Sequence, residues 1–213
     1  MADETVKLVL ASASPRRLAL LEQAGLKPDL LNPVDIEETP GKRETPRAFA
    51  LRMAREKAAG AMAAPLVRAF EAPAYIIAAD TVVAVGRRIL GKAATIEAAT
   101  RALKLLSGRS HKVLTAVALV TPDRTVRTRI VETKVRFKRL SRDDMDTYLA
   151  CDEWRGKAGA YAIQGRAGAF VRHINGSYTA VVGLPLYETV SLLAGNGFPV
   201  HYMWMHGAGE DIL

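Results

Sequence analysis

Asp80 is the residue in this chain that most needs an explanation. It stands inside Ile76-Ile77-Ala78-Ala79-Asp80-Thr81-Val82-Val83, an otherwise apolar, β-branched run. A carboxylate in such a run costs free energy unless it is paired, hydrogen-bonded or metal-bound, and functional acids often occupy such places. Glu37 and Glu38 lie in the acidic turn Asp35–Glu38. As partners of Asp80 they could complete an oxygen site for magnesium. A second chemical cluster is Ala11-Ser12-Ala13-Ser14-Pro15-Arg16-Arg17, directly after the apolar run Lys7–Leu10. Hydroxyls, a helix start and two guanidinium forks suit phosphate oxygens. A plain capped helix, with Ser14 at the N-cap and Pro15 at N1, explains the serine and proline. It does not explain two arginines at the end of a helix where the dipole disfavours cations.

These residues need elements to position them. The first strand runs into a helix that Gly25 stops. A second extended segment covers Asp29–Val34, and the loop Thr39–Glu44 follows. Thr45-Pro46 starts a long alanine-rich helix to about Ala64. Tyr75–Val85 is the apolar strand carrying Asp80. Thr95–Leu106 is helical. Lys112–Thr121 and Thr125–Lys138 are strands joined by Pro122-Asp123. Ser141 and Asp144 form a capping box for a helix to about Ala150. Gly156–Gly168 is irregular. Ala169–Ile174 and Ser177–Val182 flank Asn175-Gly176, a hairpin signal. Pro185–Ala194 is the last helix assigned. Strands alternate with helices early and pair as hairpins later. That pattern predicts an α/β fold with a mixed sheet flanked by helices, as one domain over residues 1–213.

Gly86-Arg-Arg-Ile-Leu-Gly91-Lys92-Ala93 nearly fits the phosphate-binding loop G-x-x-x-x-G-K-[ST], but alanine replaces the hydroxyl that would bind metal. It is better taken as a hairpin turn and short strand, with Lys92 a positive charge soon after Asp80.

Composition closes several other routes. The 213 residues are 49% hydrophobic and 24% charged, ordinary for a globular protein. No apolar stretch is long enough for a transmembrane helix. The start, with Asp3 and Glu4, lacks the pattern of a secretory signal. The single cysteine, Cys151, excludes an internal disulfide and a cysteine-rich zinc site. A cytoplasmic protein is expected. The net charge of +8 admits anionic partners. The densest basic stretch, Arg124–Arg142, alternates with period two, with Val131, Thr133, Val135 and Phe137 on one face. No aromatic residue stands on its basic face to stack a base, so no stable nucleic-acid complex is expected.

Five blocks in order resemble the Maf family of septum-formation-inhibitor-like nucleotide pyrophosphatases. They are Ser12–Arg17, Ala79–Val83, Lys157–Gly165, Ile174–Ser177 and Val181–Leu186. The resemblance covers nearly the whole chain. It implies two lobes around a nucleotide cleft. It implies hydrolysis of nucleoside triphosphates to monophosphate and pyrophosphate with a divalent cation, magnesium or manganese. Carried over by position, Ser12, Arg16, Arg17, Lys57 and Lys92 are triphosphate contacts. Glu38 is the family acid after the second strand, with Glu37 a one-residue alternative. Asp80 is the base or a metal ligand. Arg16, Thr81 and Gln164 fall at positions linked to base choice, and point to the dTTP/UTP branch. The branch preferring 7-methyl-GTP typically carries tryptophan where Arg16 stands.

The chain departs from the family pattern at Gly41-Lys42-Arg43, at Ala64–Pro73 and at Trp154-Arg155-Gly156. The tail Phe198–Leu213, with Trp204, has no counterpart in the family and bears on assembly, including a homodimer. The competing class is a nucleotide-sensing or cell-division regulatory binding protein without turnover. The carboxylate set separates the two classes, since a pure anion binder has no use for Asp80 and Glu38 beside a triphosphate.

Overall fold

The computed structural model describes residues 6–206, so Asp3, Glu4 and the last part of the tail lie outside it. Its elements run β1 (Lys7–Leu10), α1 (Pro15–Gln23), β2 (Leu30–Leu31), α2 (Pro46–Ala63), α3 (Pro65–Arg68), β3 (Ala74–Val85) and β4 (Arg88–Leu90). Then come α4 (Ile96–Leu106), β5 (Ser110–Val120), β6 (Val126–Phe137) and α5 (Arg142–Ala150). A 3-10 turn (Arg166–Phe170), β7 (Val171–Asn175), α6 (Tyr178–Val182), α7 (Leu186–Ala194) and α8 (Val200–His206) complete the order. Seven strands form one mixed sheet in the order β2-β1-β3-β5-β6-β7, with β4 paired to β3 as well. β1 is parallel to β2 and β3, and the other pairings are antiparallel. Among the described residues no helix is long and apolar enough to cross a membrane.

β3 organises the core because its side chains alternate between faces. Ile76, Ala78, Val82 and Ala84 pack with Phe49, Met53 and Ala54 of α2. Tyr75, Ile77 and Ala79 pack on the opposite face with Leu20 and Leu21 of α1 and Leu192 and Leu193 of α7. Val83 joins a third cluster with α4, α5, Trp154 and Tyr161. One edge of β3 pairs with β5 continuously from Ile76 to Ala84. The other edge does not. β1 pairs with Ala74–Ile77 and β4 with Val83–Val85, which leaves an opening at residues 78–82. Asp80 and Thr81 sit in that opening.

Several sequence expectations hold. Thr45 and Thr95 cap α2 and α4, and Ser141 with Asp144 forms the capping box of α5. Thr133, Val135 and Phe137 are buried on β6, while Arg127, Arg129, Lys134 and Arg136 face solvent. Arg88–Leu90 is the short strand expected of the rejected phosphate-loop pattern.

Three expectations need correction. Asn175-Gly176 does not join a hairpin. β7 pairs with β6 instead, and Gly176, at φ +126°, turns the chain into α6. Ser177 caps that helix through Ala180 N–H at 3.1 Å, so a β-branched segment becomes helical where tertiary burial of Ala180 and Val181 favours it. The second extended segment shrinks to Leu30–Leu31. Asp29 uses its carboxylate on Leu8 N–H at 2.8 Å and Lys7 Nζ at 2.9 Å, and Pro33 cannot donate to a ladder. Ser14 occupies the N-cap of α1 with extended backbone, but its hydroxyl makes no cap bond.

Candidate active site

Ser12, Arg16, Arg17, Glu38, Lys57, Asp80, Thr81, Lys92 and Gln164 all line one cavity of about 380 Å³ at the opening in β3. Residues from five regions besides β3 reach it. The β1–α1 turn brings Ser12, Arg16 and Arg17. The segment after β2 brings Glu38, and α2 brings Lys57. The end of β4 brings Lys92, whose backbone forms an isolated bridge with Ala158 and so ties that turn to the glycine-rich segment carrying Gln164.

One face of β3 holds the acids. Lys57 Nζ lies 2.7 Å from Asp80 Oδ1 and 2.6 Å from Glu38 Oε1. Lys57 and Asp80 are both buried. Lys92 Nζ reaches the other oxygen of Glu38 at 2.5 Å. Burial alone would raise the Glu38 carboxyl. Hydrogen bonds from Lys57 and Lys92 outweigh it and hold the group at about 2. Of the two adjacent acids, Glu38 lines the cavity and pairs with Lys57 and Lys92.

The other face holds a guanidinium and hydroxyls. Arg17 donates from Nε to Gly183 O at 2.8 Å, from Nη1 to Ser12 Oγ at 3.3 Å and from Nη2 to Thr81 Oγ1 at 3.4 Å. Gly183 ends α6 at φ +139°, a backbone that L side chains rarely adopt. Ser12 Oγ also accepts from Ser14 N–H at 3.2 Å. The Arg17 guanidinium is lowered by burial, against the pull of Asp80 and Glu38 that raises it. Arg16 is lowered by burial and by Arg17 beside it.

Sequence reasoning gave no role to three further residues that line the cavity, Arg155, Lys157 and Tyr161. Arg155 and Lys157 lie in the departure Trp154–Gly156 and the block after it. The Arg155 guanidinium stacks over the buried Trp154 ring at 4.4 Å. Tyr161 is held from behind by His111, whose Nε2 is 2.9 Å from the phenol oxygen. Burial pulls the His111 imidazole down to about 4, so it stays neutral near pH 7. The advance signal for Lys157 and Tyr161 was their place in the block Lys157–Gly165 with Gln164, and for Arg155 its position just before that block.

With them included, the lining carries six cations, Arg16, Arg17, Lys57, Lys92, Arg155 and Lys157, against two carboxylates, Glu38 and Asp80. A cavity with four excess positive charges and two acids suits a polyanion whose charge is of similar size. Among the described residues no group of three or more His, Cys, Asp or Glu side chains converges as a metal cage. The paired acids still fit magnesium or manganese, which bind through one or two carboxylates plus substrate oxygens.

Known proteins resemble the chain along its length. A protein of Rhodopseudomonas palustris strain BisB5 named dTTP/UTP pyrophosphatase is 60% identical over 202 residues, covering 95% of this chain and 98% of its own. Proteins of the same name from Rhizobium etli and Agrobacterium fabrum are 60% identical over 201 residues and 58% identical over 207. They cover 94% and 97% of this chain, and 98% and 100% of their own lengths. The model for Maf-like protein matches residues 7–196, from the start of β1 to just past α7, and so takes in every wall of the cavity; the chain belongs to the Maf family.

Proposed function

We propose that this protein is a cytoplasmic hydrolase that cleaves nucleoside triphosphates, dTTP and UTP above others, to the monophosphate and pyrophosphate. Its role would be removal of unwanted or modified nucleotides. The observation that carries the reading is the pair of carboxylates bridged by Lys57 inside a cavity of otherwise positive charge. The names of the relatives support the substrate class.

The residues divide the work. Arg16, Arg17, Ser12 and Lys92 bind the phosphate chain, and the arginines stabilise charge on the departing pyrophosphate. Lys57 changes partners, from carboxylate toward phosphate, without leaving its place on α2. Asp80 orients the attacking water and accepts its proton at a carboxylate oxygen. Glu38 and Asp80 would hold the divalent cation, which supplies charge neutralisation at the phosphate oxygens when bound. Arg16, Thr81 and Gln164 read the base.

The test is product identity with UTP and magnesium. UMP and pyrophosphate are expected by chromatography, EDTA should stop the reaction, and magnesium or manganese should restore it. UDP and orthophosphate as the first products would overturn the reading, and binding without turnover would favour a nucleotide sensor. Ranking kcat/KM across dTTP, UTP, CTP, ATP and 7-methyl-GTP tests base choice.

A further inference from the structure

Glu38 stands in a stretch without helix or strand, between Leu31 and Pro46. Val34 and Ile36 pack against the cluster on the α2 side of the sheet. Apolar packing does not fix the direction of a carboxylate four or two residues on. Among the described residues, the backbone of residues 33–40 makes a single hydrogen bond: Arg52 Nη2 donates to Thr39 O at 3.0 Å. Thr39 is the next residue after Glu38.

Arg52 lies on α2, five residues before Lys57, and is not part of the cavity lining. All three of its guanidinium nitrogens are in use. Nε and Nη2 each donate to one oxygen of Glu44 at 2.8 Å, a two-pronged arrangement that fixes direction as well as distance. Nη1 donates to Glu56 Oε1 at 3.2 Å, one turn along the helix. Glu44 in turn accepts from Gly41 N–H at 2.8 Å, and its own N–H donates to Gly41 O at 3.0 Å. These two bonds close a turn in which Arg43 is held at φ +64°, a backbone that a non-glycine residue rarely takes. The loop Thr39–Glu44, which contains the departure at Gly41-Lys42-Arg43, is thus pinned to α2 at both ends by one side chain.

α2 therefore holds Glu38 twice. Lys57 grips the carboxylate, and Arg52 grips the backbone behind it. In the proposed reaction Lys57 turns toward phosphate, and Glu38 loses that partner. The Arg52 contacts lie outside the cavity and do not depend on what fills it. We infer that Arg52 is a positioning residue: by clasping Thr39 O and the Glu44 carboxylate, it keeps Glu38 in place at the cavity when Lys57 turns to phosphate. This role rests on the proposed function of Glu38 in holding the divalent cation. Arg52 touches no substrate and acts only through the loop.

The experiment compares the wild-type protein with Arg52→Gln, Glu38→Gln and the double variant in two assays. The first is kcat/KM for UTP across a series of magnesium concentrations. Arg52→Gln should lose about tenfold at low magnesium, the worth of roughly one charge-assisted hydrogen bond. High magnesium should restore most of it, because a misplaced ligand weakens metal binding more than the chemistry. Added to Glu38→Gln, the same change should cost less than about twofold, since residues that act as a unit are not additive. The second assay needs no turnover. Lys42 and Arg43 are exposed on the loop, so brief trypsin digestion without nucleotide or metal, read by mass spectrometry, reports how firmly the loop is held. Cleavage there should be several-fold faster in Arg52→Gln. If circular dichroism shows that Arg52→Gln does not fold, Glu44→Gln cuts the same clasp from the loop side and carries both comparisons. Wild-type kinetics in Arg52→Gln, a loss that magnesium leaves unrelieved, unchanged cleavage of the loop, or an equal loss in the Glu38→Gln background would each overturn the inference. A Glu38→Gln protein as active as the wild type would instead overturn the proposed role of Glu38, and this inference with it.

Discussion

Asp80 and Thr81 are neighbours in sequence and open onto the same cavity, yet they belong to two different chemical surroundings. On the α2 side of β3, Asp80 is tied into ion pairs, with Lys57 shared between it and Glu38. On the α1 side, Thr81 meets a hydroxyl and a guanidinium whose hydrogen-bond partners among the described residues are uncharged oxygens. Strand geometry forces this separation, because successive side chains leave a strand on opposite faces. A substrate can touch both only where the strand has a free edge, and β3 has one between the ends of β1 and β4. The contrast assigns work. Charge that can be exchanged for metal and phosphate lies on one face. Hydrogen bonding among neutral hydroxyls and a guanidinium lies on the other.

The sharpest way to break this division is Asp80→Asn. The amide keeps an oxygen that can accept from Lys57 Nζ, so the fold should survive, as circular dichroism would verify. Turnover should fall at least about a hundredfold, the low end of general-base effects, for every nucleotide alike. Near-normal turnover would remove Asp80 from the chemistry. A loss confined to one base would move it to the reading face.

Arg17→Ala tests the opposite face. Arg17 bonds to Thr81, but its charge has no carboxylate partner in direct contact among the described residues, so we expect it to serve phosphate. KM should rise about tenfold for triphosphates of every base, in line with the roughly 1.5–3 kcal/mol of a charge-assisted hydrogen bond. Michaelis curves for UTP and CTP check this. A change for UTP alone would place Arg17 with the base.

How much of this was legible in the sequence follows from the range of the interactions involved. Asp80 and the Ser12–Arg17 block were visible because each violates a local rule, an acid in an apolar strand and cations at a helix start. The capping box of α5 was visible because both partners lie within four residues. The opening in β3 was not, since it depends on where β1 and β4 stop pairing in space. The helix at Tyr178–Val182 was missed because its β-branched residues and the Asn-Gly signal favour a hairpin locally. Burial against β5 decides otherwise. The buried bond of Thr115 gave no signal, since an ordinary threonine in an apolar strand donates to a carbonyl 65 residues away. The tail was also opaque. In the described part, Trp204 Nε1 donates to Ala24 O at 2.6 Å and the indole covers Gly25, so α8 folds back on the end of α1. The rest of the tail, and any bearing on assembly, lies outside the described residues.

The smallest expected effect is one of stability, and it sharpens the comparison from the charged side. Glu38 sits in an irregular segment and is held to the protein by Lys57 and Lys92. Its carboxyl titrates at about 2 in the folded protein, below the ordinary 4.5. A group depressed in this sense contributes stability that is complete above 4.5 and is lost as pH falls toward 2. Thr81 and Thr115 on the other face carry no titrating group. In Glu38→Gln the acid-sensitive part should vanish. The melting temperature of the wild type should exceed that of the variant by a constant margin above pH 4.5, and the two curves should converge as pH approaches 2. The margin should be modest, since the side chain is one-third exposed and solvent screens its pairs. Added salt should shrink it further. A margin independent of pH down to 2 would mean that Glu38 packs rather than pairs, and that the charged face is held by Lys57 and Asp80 alone.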